Sequence, residues 1–268
     1  MKSVLVTGAT DGIGLETARQ LLARGLHVLV HGRNEEKASR NARTLAAEAG
    51  AARVTPVWGD LSSMRQVVEL AQQVQQRAPI LDVLVNNAGV FQRSRVLTED
   101  GFEMTMAVNH FAVFLLTSRL LPTLRAAPAG RIVTVSSIAH SGADLDLDDL
   151  SFAHGFEGYD VYAASKLANI LFTRSLASRL APTPVTANAL HPGVIDTKLL
   201  HAGFDIRGAS LEQGARTSVY LADSDRVAGV TGKYFVDSRE ATPSRQARDD
   251  RLADGLWAES ERLLRDFL

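Results

Sequence analysis

The sequence predicts an α/β fold, a doubly wound parallel sheet of about seven strands with helices on both faces, built by residues 1–268 as a single domain. Three observations carry this. Short β-branched runs alternate with helical patterns from one end of the chain to the other. The first run opens into a glycine-rich turn. Two runs, Val28-Leu29-Val30 and Val83-Leu84-Val85, are apolar at every position, as strands covered on both faces are. Strands separated by helices imply right-handed βαβ units. No linker, repeat or low-complexity segment divides the chain.

The elements follow in order. Strand Ser3–Thr7 leads into Thr7-Gly8-Ala9-Thr10-Asp11-Gly12-Ile13-Gly14, after which Leu15 to Leu22 repeat apolar residues at helical spacing. A strand, a glycine turn and a helix start together make a phosphate site. Glycines let the backbone approach the ligand, and free N–H groups with the helix dipole attract a pyrophosphate. The glycine spacing departs from G-x-G-x-x-G, and an ordinary tight turn is the plain alternative. Strand Leu26–His31 ends in Gly32-Arg33-Asn34, and helix Asn34–Ala49 follows. Strand Val54–Trp58 precedes Asp60-Leu61 and helix Ser62–Ala78. Strand Leu81–Asn86 closes on Asn87-Ala88-Gly89, before helix Phe102–Ala127, which contains Asn109. Strand Arg131–Ser136 ends at Ser136-Ser137, and helix Asp160–Leu180 follows. Strand Val185–His191 runs into Pro192-Gly193, and a last strand is expected at Lys233–Val236. Pro243 to Leu268 reads as a charged amphipathic helix around Leu252, Leu256, Trp257, Leu263 and Leu264, packed outside the sheet. In such folds ligands lie at the carboxyl ends of the strands, where Gly12, Asn87, Ser137 and Gly193 fall.

On helix Asp160–Leu180, Tyr162 and Lys166 stand four residues apart, so phenol and ammonium share a face. A free tyrosine, with a pKa of about 10, is a poor acid or base at neutral pH. A neighbouring cation favours the phenolate and is expected to lower that pKa. Alone, this spacing is most often surface decoration; its combination with the glycine turn makes it informative.

With 46% hydrophobic residues the chain has ample material for one large core, and a formal net charge of −1 gives no electrostatic reason to expect nucleic acid or a membrane as partner. The absence of cysteine excludes disulfides and thiolate chemistry. A strand beginning at Ser3 leaves no room upstream for a signal peptide or anchor, and no apolar run approaches the ~20 residues of a spanning helix. A cytoplasmic location is therefore expected. Abundant alanine, and arginine far in excess of lysine, point to a GC-rich bacterial genome. The acidic run Asp144 to Asp149 is expected to be a solvated loop, with no metal site.

The glycine turn, Asp60-Leu61, Asn86-Asn87-Ala88-Gly89, Asn109, Ser136-Ser137, Tyr162 to Lys166 and Pro192-Gly193, in this order over nearly the whole chain, resemble the short-chain dehydrogenase/reductase family. The resemblance implies a Rossmann-type fold and a catalytic set of Asn109, Ser137, Tyr162 and Lys166. Tyr162 would exchange a proton with the substrate oxygen as hydride moves. Lys166 would also bond the nicotinamide ribose. Ser137 would donate to the carbonyl oxygen, with Ser136 as its neighbouring competitor, and Asn109 would hold a water linking Lys166 to solvent. Implied cofactor contacts are Gly8, Thr10, Asp11, Gly12, Ile13, Gly14, Arg33, Asn34, Asp60, Leu61, Asn87, Ala88, Gly89, Tyr162, Lys166, Pro192, Gly193, Val194 and Thr197.

An NAD enzyme usually carries an acidic residue where this chain has Gly32, and the adjacent Arg33 suits a 2′-phosphate, so NADP(H) is expected. Asp11 stands where some NADP-preferring members have a basic residue. The 24 residues Ile138 to Val161 between Ser137 and Tyr162, with Gly232-Lys233-Tyr234-Phe235 and Leu256-Trp257, resemble the retinol dehydrogenase and protochlorophyllide reductase branch. The implied activity is an alcohol dehydrogenase or carbonyl reductase acting on a hydrophobic ketone, aldehyde or secondary alcohol. An NADP(H)-sensing regulator on the same fold is the alternative, although such proteins commonly lose the tyrosine or lysine. His140 and His191 are read as structural or substrate-lining. Segments Ile138–Tyr159 and Val194–Gly214, carrying Phe152, Phe156, Leu199, Leu200, Phe204 and Ile206, are expected to wall the substrate site. Either a monomer or a homodimer paired through helices Phe102–Ala127 and Asp160–Leu180 is consistent with the sequence.

Overall fold

The computed structural model describes residues 1–203 and 207–268; Phe204 and Ile206 lie outside them. One sheet holds the strands β1 (Ser3–Val6), β2 (His27–Gly32), β3 (Val54–Trp58), β4 (Val83–Asn86), β5 (Arg131–Val135), β6 (Thr186–His191), β7 (Tyr234–Val236) and β8 (Arg239–Ala241). Their order is β3-β2-β1-β4-β5-β6-β7-β8. Every neighbouring pair is parallel except β7 and β8. The order reverses between β1 and β4, and that reversal leaves a crevice at their carboxyl ends.

The two-residue period of a strand explains why the runs are apolar throughout. Leu5, Leu29, Leu84 and Ile132 enter the core on one face of the sheet. Val4, Val6, Val28, Val30, Val83 and Val85 enter a second core on the other. Helices Gly12–Ala23 and Leu211–Asp223 cover this second face; Met64–Arg77, Gly158–Leu180 and Met104–Arg125 cover the first.

The expected sheet of about seven strands is present with one short strand more, and two other expectations need correction. Arg239–Ala241 is three residues long with no apolar pattern, so it carries no strand signal. It exists because Asp237 and Ser238 adopt positive φ (49° and 60°), turning the chain back in a two-residue hairpin of the hand that suits twisted strands. Next, Met104–Arg125 is a helix of 22 residues with mean hydropathy 1.3 over its most apolar window, so it has the length and composition to cross a membrane. In the fold it is a core helix, 78% of that window being buried. The helix itself was expected; Asn109, His110, Thr117, Ser118 and Arg119 interrupt its apolar run in the sequence and masked its mean hydropathy. Finally, the last helix, Asp250–Leu263, packs on other helices instead of on the sheet. Trp257 stacks on Phe172 (5.9 Å between centroids, 5°) and meets Phe114 edge-on (4.8 Å), while Arg179 lies over its outer side at 4.3 Å. It thereby covers part of the helix pair named above as the seam of one of the two oligomeric alternatives.

Candidate active site

The carboxyl ends of β1, β4, β5 and β6 open into a cavity of about 1110 Å³. One end is made of backbone. Gly8 and Gly12 have positive φ (64° and 53°), which side-chain-bearing residues rarely adopt. A Cβ on Gly14 would lie 2.3 Å from the Gly8 carbonyl oxygen and 2.4 Å from Asn87 Nδ2, so only glycine fits there. The turn is tied to its neighbours. Asn87 and Ala88 N–H donate to Thr7 Oγ1 (2.9 and 3.0 Å), and Asn87 Nδ2 donates to the Thr7 carbonyl (2.8 Å). His31 completes the clasp, accepting from Gly8 N–H at Nδ1 (3.0 Å) and donating from Nε2 to the Gly59 carbonyl (2.9 Å). Burial keeps this ring neutral and lowers its pKa to about 4. Asp11 caps helix Gly12–Ala23 through the Gly12 N–H and pairs with Lys198 across the cavity.

The open cradle left by Gly8, Gly12 and Gly14 at a helix N-terminus fits a dinucleotide pyrophosphate. Arg33 lies further along the wall, its Nε 3.7 Å from Asp60 Oδ2, and Lys37 faces the same space. Lys37 was not singled out in the sequence; its signal was a second cation four residues after Arg33. Gly32 has a packing reason as well, since a Cβ there would stand 2.9 Å from both the Ala38 amide nitrogen and Thr10 Cγ2. An acidic side chain cannot occupy that position without moving helix Glu35–Ala49.

At the other end, helix Gly158–Leu180 brings Tyr162 and Lys166 against the end of β5. The Ser137 hydroxyl lies close enough to the Tyr162 phenol to favour its charged form. Ser136, the competitor, is turned away and donates its hydroxyl to the Lys166 carbonyl (2.6 Å). Lys166 Nζ donates to the Val135 carbonyl (3.2 Å) and lies 5.5 Å from the centroid of the Tyr162 ring. The expected lowering of the tyrosine pKa is not what this site shows. Burial pushes the phenol up to about 12, against the opposing effect of the Ser137 hydroxyl. Burial also pushes Lys166 down to about 8. Desolvation disfavours both charged forms and is the largest influence on each.

Two sequence-predicted residues do not reach the cavity wall. Asn34 caps helix Glu35–Ala49, accepting from Lys37 N–H (3.0 Å). Asn109, expected to hold a water, sits in a π-turn spanning Ala107–Phe111 with both ends of its amide committed. Oδ1 accepts from Val90 N–H (2.8 Å), and Nδ2 donates to the Val90 carbonyl (3.1 Å) and to Ser165 Oγ (2.9 Å). Ser165 in turn donates to the Tyr162 carbonyl (2.7 Å), which links the loop after β4 to the helix of Tyr162. The remaining predicted cofactor residues line the cavity, as does Ser137.

Among the expected substrate walls, Leu199 and Leu200 face the cavity together with Val90, Ile138, Tyr159 and Val194. Phe152 and Phe156 instead pack against the core, anchoring their loop. The acidic loop is closed on itself, with Asp149 accepting from Ser151, Ala153 and His154.

A family model described as short chain dehydrogenase matches residues 2–205. The chain is 42% identical over 286 residues to human retinol dehydrogenase 14, covering 97% of this chain and 85% of that protein. It is 43% identical over 276 residues to mouse polyprenol dehydrogenase, covering 97% and 82%. Among solved structures, a short chain dehydrogenase from Escherichia coli CFT073 complexed with NADPH superposes with a TM-score of 0.74 at 28% identity, covering 89% of this chain and 97% of that one. These findings overturn the cytoplasmic expectation. It rested on the lack of any helix fit to span a membrane, and Met104–Arg125 has that length and composition, while the relatives are named for retinol and polyprenol, alcohols of lipid character. With its glycine turn, its Tyr162–Lys166 pair and its family match all in agreement, the chain belongs to the short-chain dehydrogenase family and is an oxidoreductase of its retinol dehydrogenase-like branch.

Proposed function

We propose that residues 1–268 form one catalytic domain that moves hydride between NADP(H) and a hydrophobic alcohol, ketone or aldehyde. The observation that carries this reading is a single cavity with Arg33 and Lys37 at one end and Tyr162, Ser137 and Lys166 at the other. Bound in the glycine cradle, the dinucleotide supplies the hydride. Arg33 and Lys37 would hold a 2′-phosphate by charge-assisted hydrogen bonds, and Gly32 leaves no acidic group to repel it. Arg33 would have to leave Asp60 to do so, an exchange between an exposed arginine and a half-buried aspartate.

Ser137 is placed to donate to a substrate oxygen as negative charge develops on it. Tyr162, beside Ser137, is the proton donor in the reductive direction and the acceptor in the oxidative one. A phenol with a pKa near 12 is neutral at physiological pH, which suits reduction. Lys166 is the adjacent cation, and its lowered pKa is the consequence of the dry surroundings that strengthen electrostatics at the reacting centre. The apolar walls favour an apolar substrate, with polarity confined to the catalytic hydroxyls. The NADPH complex of the E. coli relative and the names of the retinol and polyprenol relatives support the cofactor and substrate class. A regulator that senses NADP(H) without turnover is the weaker reading because Tyr162 and Lys166 are both present and both buried in the cavity. A carbonyl and alcohol panel followed by NADPH absorbance tests the proposal. Oxidation or reduction of apolar substrates with NADP(H) is expected; clear preference for polyols or anionic substrates overturns the substrate class.

A further inference from the structure

One peptide unit in the site is held on both edges by imidazole rings. It is the unit directly after Ser137. Its carbonyl, that of Ser137, accepts from His140 Nδ1–H at 2.6 Å, and its N–H, that of Ile138, donates to His191 Nδ1 at 3.2 Å. His140 spends its other nitrogen outside the site, where Nε2 accepts from the Ser244 N–H at 3.1 Å. The rings come from different places. His140 follows Ser137 by one turn, His191 ends β6, and Ser244 precedes the last helix. Both rings are buried, and the Tyr234 ring packs edge-on against His140 at 5.1 Å.

A peptide held by one hydrogen bond can still swing about its Cα–Cα axis. Bonds on opposite edges fix its plane, and with it the backbone angle that sets the direction of the Ser137 Cα–Cβ bond. Filling space does not require this arrangement. A phenylalanine would fill either position without the desolvation of a buried ring nitrogen. Neither ring acts as an acid or base here. His140 donates at Nδ1 and accepts at Nε2, which defines a neutral tautomer, and His191 accepts at Nδ1.

We propose that His140 and His191 are positioning residues that clamp the Ser137–Ile138 peptide and aim the Ser137 hydroxyl, with the Ser244 backbone bracing His140 from the C-terminal segment. The inference rests on the reading of Ser137 given above.

The test uses His140→Phe and His140→Asn in the full chain, each alone and combined with Ser137→Ala. Turnover of a substrate accepted by the parent protein and NADPH affinity by fluorescence are the readouts. His140→Phe is expected to lower kcat by about 10- to 100-fold, the effect of misplacing a catalytic group, with NADPH affinity little changed. His140→Asn should recover most of this, since its amide can donate where Nδ1–H did. In the Ser137→Ala background His140→Phe should add almost nothing, because the two act as one unit. Full additivity with Ser137→Ala, or equal damage from Phe and Asn, overturns the proposal. Amide hydrogen exchange at Ile138 and Ser244 reads the clamp without turnover. Faster exchange in His140→Phe is expected, and unchanged exchange at both amides overturns the clamp. If exchange quickens but the parent turns over no alcohol or carbonyl, the clamp stands and the substrate reading fails.

Discussion

At the dinucleotide end the cavity wall is backbone, made of three glycines at a helix start and held by hydrogen bonds from Thr7, Asn87 and His31. At the reacting end it is side chain. Tyr162 and Lys166 arrive from a helix and Ser137 from the loop just after β5, and the apolar wall comes from segments after β4, β5 and β6. A backbone cradle tolerates almost no added atom, whereas a side-chain wall can be reshaped one residue at a time. One end can therefore stay the same while the other is adapted to new substrates.

The sharpest separation of the two ends is Tyr162→Phe. Losing the proton carrier should lower turnover by about 10²–10⁴-fold, as for other general acid–base groups. NADPH binding should remain, because the cradle is untouched. Near-parental turnover on an identified substrate would break the proposed assignment.

Acid should strike both ends together. His31 and His191 have pKa values lowered by burial to about 4, and His110, in the π-turn, to about 3. Between pH ~6.5 and ~4 the unfolded chain binds protons at these rings that the folded chain does not. Their contribution is thus complete above ~6.5 and lost as pH falls, at up to about 1.4 kcal/mol per pH unit for each ring. Denaturant titrations across this window should show the decline, and a flat profile would mean that the rings are not neutral in the fold.

Arg33→Ala should act at the dinucleotide end alone. A charged hydrogen bond is worth about 1.5–3 kcal/mol, so preference for NADPH over NADH should shrink by about one to two orders of magnitude. Equal affinity of the unmodified protein for both cofactors would remove the basis for this before any variant was made. Gly32→Asp is not expected to create an NAD enzyme, because its Cβ has nowhere to go.

The smallest effect belongs to the side-chain wall. Leu199→Ala should change the ranking of apolar substrates, by up to about 10- to 100-fold for any one of them, with NADPH affinity nearly constant. A uniform loss across all substrates would instead show Leu199 to be a general support of the site.

The sequence alone determined the alternating fold, the glycine turn, the Tyr162–Lys166 pair and the basic residue that follows β2. All four are local signals: a period of two or 3.6 residues, a positive-φ requirement, a one-turn spacing or a single missing acid. Only the tertiary structure decided the rest. Strand β8 depends on a turn at Asp237–Ser238 and not on its own residues. Phe152 and Phe156 look alike in sequence to Leu199 and Leu200, yet only the leucines line the cavity, while the phenylalanines only anchor their loop to the core. The Tyr162 pKa moved opposite to expectation because spacing reveals a neighbouring charge but not how much water the fold removes. The roles of His31, His140 and His191 likewise depended on partners that are distant in sequence and adjacent only after folding, since a hydrogen bond requires a position in space and leaves no periodic trace along the chain.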